Sequence, residues 1–340
     1  MKTVFAKAPL RLGLAGGGTD LEPYWKEYGG VVLSGTIDQY AYCKVEPYDD
    51  WVFKSVDLDL EERFEFLNFK NYDESGSLKL LINAYKHIVK DYSHRTPVKI
   101  TTYVEAPPGS GLGSSSALVV ALISAISEYY NMPRDEYEIA KMAVTIEREI
   151  CDLPGGLQDQ YSAAFGGFNY IEFLQDGRTI VNPLRLNYKT QNMLELNTVL
   201  YYVGCPRKDE RVIEATSDNL KGNTKTLEAT HMIKESCIEF KRSLLVGDVK
   251  KIASLMNRYW LHKLQTSDKV GSPELLDTYE YVIANGATAA KISGAGGGGH
   301  LILFTDFEQR HKLISALNKR DTGRIVPFKF VKHGVDVWRT

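Results

Sequence analysis

Apolar positions change their period several times along this chain. Short β-like runs occur at 31–33, 41–45, 51–53 and 64–66, and a longer one at 98–104 runs straight into a Gly/Ser-rich turn. Residues 78–92 carry apolar side chains at helical spacing. Beyond the turn, 117–126 is almost wholly apolar and small, which predicts a helix buried on all sides. Pro133 then opens an acidic first turn, and Ile139, Met142, Ala143, Ile146 and Ile150 recur with a helical period up to a Gly/Pro-rich elbow at 153–156. Longer helices are predicted over 211–220, 225–245 and 249–264. Another begins at Ser272 as N-cap, with Pro273 in its first position, and stops at Asn285-Gly286. Strand-like segments at 198–203, 301–304 and 324–330 lie between them. The alternation predicts an α+β chain of two lobes, 1–185 and 186–340, divided near 182–192.

Composition removes several classes of function. The 340 residues are 44% hydrophobic and 25% charged, and 41 Lys+Arg face 43 Asp+Glu. That balance is ordinary for a globular protein, and no basic run interleaved with aromatics suggests a nucleic-acid partner. Cys43, Cys151, Cys205 and Cys237 stand far apart, without metal-ligand spacing, and are expected as buried free thiols in a reducing compartment. The N-terminus lacks the apolar stretch of a signal peptide, and no apolar run reaches membrane-spanning length. A cytoplasmic protein is expected.

Candidate chemistry concentrates in three glycine clusters: Gly16-Gly17-Gly18, Gly109 to Ser116, and Gly294 to Gly299. Each requires a backbone path that a side chain would block. The middle cluster lies between a predicted strand and the buried helix. Its backbone N–H groups and the positive helix end converge there, an arrangement that binds phosphate. No lysine follows these glycines, so the segment is not a P-loop. A literal G-x-G-x-x-G at Gly294, Gly296 and Gly299 precedes a strand rather than opening a helix, which removes the dinucleotide-binding reading. A phosphate loop without its own lysine calls for Mg²⁺ held by one or two protein oxygens, for which Ser115 and Glu147 are candidates.

Taken together, three ordered motifs resemble the superfamily named for galactokinase, homoserine kinase, mevalonate kinase and phosphomevalonate kinase. They are Ala8-Pro9-Leu10-Arg11 through Gly16-Gly17-Gly18-Thr19-Asp20, Pro107 through Ala117, and Lys291-Ile292-Ser293 through Gly299. Gly156-Leu157-Gln158-Asp159-Gln160 is similar to the stretch that carries the family's catalytic aspartate. The resemblance implies a two-lobed α+β kinase with a ferredoxin-like C-terminal lobe. It implies ATP on Pro108, Gly109, Ser110, Gly111, Leu112, Gly113, Ser114, Ser115 and Ser116, and Mg²⁺ on Ser115 and Glu147. Asp159 would be the base and Arg11 its cationic partner. Gly16, Gly17, Gly18, Thr19, Asp20, Gly296 and Gly297 would line the acceptor site, with Asp20 meeting a pair of sugar hydroxyls.

Residues 12–20 and 155–167 more narrowly resemble bacterial D-glycero-D-manno-heptose 7-phosphate kinases. These phosphorylate the anomeric hydroxyl on the way to a GDP-heptose for surface polysaccharide. L-Fucokinase domains are the nearest competing resemblance, and a non-catalytic sugar and nucleotide sensor is the competing class. A sugar phosphate and ATP are the expected partners of a monomer or homodimer. Arg207, Lys208 and Arg211 are the basic residues weighed for a substrate phosphate.

Overall fold

The structure is a computed structural model that describes residues 3–65, 76, 78–93, 95–204 and 209–340. Its larger sheet has eight strands: β1 (Val4–Ala15), β2 (Gly30–Pro47), β3 (Trp51–Ser55), β4 (Leu60–Phe64), β5 (Val98–Val104), β6 (Phe168–Phe173), β7 (Thr179–Pro183) and β12 (Asp336–Arg339). The order is β12-β1-β2-β5-β3-β4, and β6, with β7 beyond it, pairs with the first part of the long β2. Among the described residues only β3 and β5 pair in parallel. Register shifts between Pro9 and Arg11, and between Gly13 and Ala15, break the β1–β2 ladder. Bulges of this kind re-aim side chains, and Arg11 stands at one of them.

Helices α2 (Lys79–Ile88), α3 (Ser114–Tyr129), α4 (Glu136–Val144) and α5 (Gln158–Phe165) form a connected layer, with α3 packed on β1 and β2. Twelve of the 16 residues of α3 are buried, the outcome expected of its unbroken apolar run. Helix α4 starts at Asp135 in a complete capping box with Glu138, rather than at Pro133. Its continuation is not α-helical: Thr145–Ile150 is a π-turn. The apolar period survives that widening, so the sequence pattern reads straight through it.

The second sheet contains β8 (Thr198–Tyr202), β9 (Ala287–Ile292), β10 (His300–Thr305) and β11 (Arg324–Val326), in the order β11-β8-β10-β9 and antiparallel throughout. Numbered by chain order this is 4-1-3-2. With α7 (Asp209–Leu220), α8 (Thr224–Val246), α9 (Val249–Lys263) and α10 (Pro273–Ala284) before β9, and α11 (Phe307–Asn318) between β10 and β11, it is the expected ferredoxin-like unit. Ser272 caps α10 and Pro273 follows it, as predicted.

Several elements escaped the sequence reading: β1, α1 (Glu22–Tyr28), α5, β6, β7, α6 (Tyr188–Asn197), β9, α11 and β12. Strand β1 holds Pro9 and Gly13, which argue against a strand in sequence terms, and its side chains are buried from Ala8 onward. Residues 182–192 are the end of β7 and the start of α6 rather than a linker, and β12 returns to pair with β1. A split into 1–185 and 186–340 therefore leaves one strand of the first sheet on the wrong side. One core runs from the large sheet through α8 and α9 to Ile302 and Phe304. Phe66 of the predicted 64–66 run, and Cys205, Arg207 and Lys208, lie outside the described residues. Cys43, Cys151 and Cys237 are buried free thiols. Among the described residues no helix is long and apolar enough to cross a membrane.

Candidate active site

A cavity of about 390 Å³ opens where the three glycine clusters meet. Its floor is the middle cluster. Gly113 is the N-cap of α3 in the left-handed region (φ 75°), and no side chain caps that helix. The first N–H groups of this largely buried helix therefore lack a side-chain cap at the cavity wall, where Ser114, Ser115 and Ser116 also lie. Gly111 shares the left-handed conformation, and a Cβ there would strike the Ser293 carbonyl of the third cluster. Further bonds hold the clusters together. The Arg11 N–H donates to the Leu112 carbonyl at 3.0 Å, and the His300 N–H to that of Ser110 at 3.1 Å. The ring Nδ1 of His300 also lies 2.8 Å from the Ser110 carbonyl, and burial lowers the His300 pKa to about 4. It ties the third cluster to the middle one and does not line the cavity.

Arg11 and Asp159 meet at the inner end. The guanidinium donates to Asp159 Oδ1 from Nε at 2.7 Å and from Nη2 at 2.6 Å, and to the Gly111 carbonyl from Nη1 at 2.6 Å. Arg11 is buried, whereas Asp159 keeps 22% of its side-chain surface. A Cβ on Gly113 would lie 3.1 Å from the Asp159 carboxyl carbon, so the carboxylate sits directly beside the phosphate-type loop.

Asp159 is the second residue of α5, whose N-cap, Leu157, offers no side-chain bond. Asp20 supplies that cap from a distance. Its Oδ2 accepts from the backbone N–H groups of Leu157 (3.1 Å) and Gln158 (3.2 Å) and from Gln158 Nε2 (3.1 Å), while Oδ1 accepts from the Gly18 N–H (3.0 Å). Both oxygens are thus engaged within the protein, Oδ2 in capping the helix that carries Asp159 and Oδ1 at the first glycine cluster, while Asp20 also lines the cavity. Thr19 does not reach the cavity. Its hydroxyl donates to the Val31 carbonyl (2.6 Å) and accepts from the Val31 N–H (2.9 Å), fully buried and away from the cavity. Gly16 backs onto the same Val31 carbonyl, so of the first cluster only Gly17, Gly18 and Asp20 line the cavity. At the third cluster Gly294 and Ala295 line it in place of Gly296 and Gly297, because Gly296 packs on Val270. In the middle cluster Pro108, Gly109, Gly111, Gly113 and Ser114 to Ser116 face the cavity. Leu112 and Ser110 point into the interior.

Two consecutive residues of the π-turn serve different walls. Glu147 turns inward and is wholly buried, accepting from Ser115 Oγ (2.6 Å), Ser116 Oγ (2.7 Å) and Gln160 Nε2 (2.5 Å). Arg148 lines the cavity and holds the elbow, donating to the carbonyls of Gly156 (3.2 Å) and Leu153 (3.1 Å). Ser115 is an exposed residue whose Oγ meets Glu147 Oε1, so two hard oxygens converge at the phosphate-type loop. Among the described residues no cluster of three His, Cys, Asp or Glu exists. That donor set fits Mg²⁺, which takes one or two protein oxygens and completes its shell with water and phosphate.

Two buried lysines were missed. Lys291 donates from Nζ to the Gly13 and Leu14 carbonyls and lies 4.4 Å over the Tyr259 ring, whose hydroxyl donates to the Gly17 carbonyl at 3.2 Å. Burial lowers the Lys291 pKa to about 7, helped by nearby Arg11 and Lys263. Lys263 ends the inward stripe of α9 formed by Ile252, Leu255, Met256, Tyr259 and Trp260, and it lines the cavity. A lysine where a helical stripe demands an apolar residue was the available signal. Arg211 is exposed and absent from the cavity wall, to which α7 contributes Glu210, Ile213 and Thr216.

A phosphate-receptive helix terminus next to an Arg-held carboxylate, spanned by two lobes of this topology, defines a phosphotransferase that acts on small molecules. Comparison with known proteins narrows the class. The description "GHMP kinases N terminal domain" matches residues 79–167 and "GHMP kinases C terminal" matches 240–322. Over the full length of both chains the sequence is 42% identical to the D-glycero-alpha-D-manno-heptose 7-phosphate kinase of Campylobacter jejuni. A D-glycero-D-manno-heptose 1-phosphate kinase from Bacteroides thetaiotaomicron superposes with a TM-score of 0.82 at 36% identity, covering 99% of each chain. The L-fucokinase/L-fucose-1-P guanylyltransferase of Bacteroides fragilis is 24% identical over 88% of this chain and 34% of its own length. The chain belongs to the GHMP kinase family. It is a sugar kinase that uses ATP, and its relatives point to a sugar phosphate as acceptor.

Proposed function

We propose that the protein transfers the γ-phosphate of Mg·ATP to the anomeric hydroxyl of D-glycero-D-manno-heptose 7-phosphate, giving the 1,7-bisphosphate, a precursor of GDP-heptose for surface polysaccharide. The observation that carries the chemistry is the position of Asp159. One carboxylate oxygen is held by Arg11, and the other lies beside Gly113 at the loop that would hold the β- and γ-phosphates. The acceptor follows from the heptose kinase of Campylobacter jejuni, 42% identical over the whole chain.

In this reading the nucleotide's base occupies the apolar end of the cavity, formed by Leu80, Leu81, Val104 and Ala106. Its phosphates lie against the α3 N-terminus and the serine hydroxyls. Ser115 and Glu147 would hold Mg²⁺, which supplies charge neutralisation to the phosphates when bound. Asp159 accepts the proton of the anomeric hydroxyl as that oxygen bonds to the γ-phosphorus, and the β–γ bridging oxygen leaves with ADP. Arg11 keeps the carboxylate aimed and offsets charge that builds on the transferring group.

The test is ADP release from Mg·ATP with the heptose 7-phosphate, the phosphate-free heptose, L-fucose, galactose and mevalonate. Preferred turnover of the 7-phosphate is expected. Preference for L-fucose would overturn the acceptor, and silence with every sugar would point to a sensor. Ser115→Ala is expected to raise the Mg²⁺ concentration needed for half-maximal rate, and an unchanged requirement would remove Ser115 from the metal site.

A further inference from the structure

The protein treats the two carboxylate oxygens of Glu147 differently. We infer that Gln160, acting with Ser116, occupies Oε2 so that Glu147 offers a cation only Oε1, and that this one-oxygen presentation makes the site select Mg²⁺ over Ca²⁺. The inference rests on the metal site proposed above, and Gln160 is a positioning residue in it.

An ionised carboxylate only accepts, and it has about four lone-pair sites. Oε2 accepts from Ser116 Oγ at 2.7 Å and from Gln160 Nε2 at 2.5 Å, which fills both of its sites. Oε1 accepts one bond, from Ser115 Oγ at 2.6 Å. One site therefore remains, on Oε1, next to the hydroxyl oxygen of Ser115. Glu147 and Gln160 are 0% exposed and Ser116 is 2% exposed, so bulk water does not compete for Oε2.

Gln160 is itself bound on one side only. Its Nε2 must face Glu147, because the opposite amide orientation would set two acceptors against each other. Its own Oε1 is buried and, among the described residues, has no hydrogen-bond partner. An unpaired buried oxygen lowers stability, and an apolar side chain of similar length would fill the same space without that loss. What the amide supplies here is the one bond it donates. Gln160 also follows Asp159 directly in α5, so the helix that aims the base fixes Glu147 as well.

Ion size turns this arrangement into selectivity. Ca²⁺ gathers more oxygens in a looser shell and often uses both oxygens of one carboxylate. Mg²⁺ demands a compact octahedral shell, completed by water and phosphate, in which a single carboxylate oxygen suffices.

The experiment measures the affinity of a fluorescent ADP analogue by titration in Mg²⁺, in Ca²⁺ and in EDTA, and reads how far each ion tightens binding over EDTA. Wild type, Gln160→Met, Ser116→Ala and Glu147→Gln are compared. In Gln160→Met the gain from Mg²⁺ is expected to fall about 10-fold, the lower end for loss of a residue that orients a metal ligand, while the gain from Ca²⁺ holds or rises. Affinity in EDTA should stay within a few-fold of wild type. The urea midpoint should not fall, an outcome that a purely structural glutamine would not give. An unchanged preference for Mg²⁺ over Ca²⁺ would overturn the inference. If Gln160→Met loses affinity in EDTA as well, the preference is read on Ser116→Ala, which frees the same oxygen and should shift it the same way. An unchanged preference there overturns the inference equally. A gain from Mg²⁺ that Glu147→Gln leaves intact would instead overturn the metal site itself.

Discussion

The two ends of the cavity are built on different plans. The phosphate-type end is local: residues 109–116 form one turn, and the helix that follows supplies the dipole, the N–H groups and the hydroxyls. The opposite end is assembled from distant segments. It takes Arg11 and Asp20 from either side of the first cluster, Asp159 from α5 and Lys263 from α9, with Lys291 of β9 behind them. A local site survives in a sequence as a motif. An assembled one survives only as single residues whose partners are invisible until the chain folds. In the proposed function the local end would hold the nucleotide's phosphates and the assembled end the acceptor.

Changes that hit one end and spare the other test this comparison. The largest effect is expected for Asp159→Asn, which should cut kcat by about 10²–10⁴-fold while nucleotide affinity stays within a few-fold. Parallel loss of nucleotide affinity would mean that the two ends are not separable. Asp20→Ala should come next. It removes the cap of α5, and unfolding in urea should show a loss of about 2 kcal/mol, with kcat reduced because Asp159 is no longer fixed. A variant with full stability but a raised KM for sugar would return Asp20 to the role first expected of it. Gly113→Ala combines a left-handed backbone cost of roughly 1–2 kcal/mol with a methyl pressed toward Asp159. It should weaken nucleotide binding and turnover together, and an effect on sugar KM alone would contradict the geometry.

Stability itself should also depend on pH. Lys291 has its pKa lowered from 10.5 to about 7, so across that window the unfolded chain binds a proton that the fold does not. Stability therefore falls as pH drops through the window and levels off below it. The slope should be roughly 1 kcal/mol per pH unit, and it should vanish in Lys291→Met. His300, lowered from 6.5 to about 4, acts with the same sign at lower pH, so stability should decline as pH falls from 6.5 toward 4. Urea midpoints measured between pH 4 and 10 check both, and a profile that is flat in wild type would refute the burial argument.

The comparison also explains what could be read in advance. The middle cluster, the helix behind it and the α10 cap are contiguous signals, and the structure bears them out. Asp159 was found because it lies in a short recognisable stretch, yet its helix was not, since Gln-Asp-Gln-Tyr-Ser-Ala-Ala-Phe has no apolar period to announce one. Glu147 was a candidate metal oxygen that gained weight from the family resemblance, and the π-turn in which it stands leaves no mark on the spacing of Ile146 and Ile150. Thr19 and Gly16 were placed in the pocket because they adjoin residues that are there. Strand pairing instead sends them toward Val31, which no local pattern reveals. Lys263 was legible only as a charge at a position where an apolar residue belongs, and Lys291 only as the first residue of the third motif.

The most direct test of the account is ³¹P NMR of the product formed from Mg·ATP and D-glycero-D-manno-heptose 7-phosphate by wild type and Asp159→Asn at equal concentration. The account predicts a new phosphorus resonance coupled to the anomeric proton for wild type, and its appearance slowed by at least about 10²-fold in the variant. A new phosphate at any other carbon, or an unslowed reaction in Asp159→Asn, would contradict it.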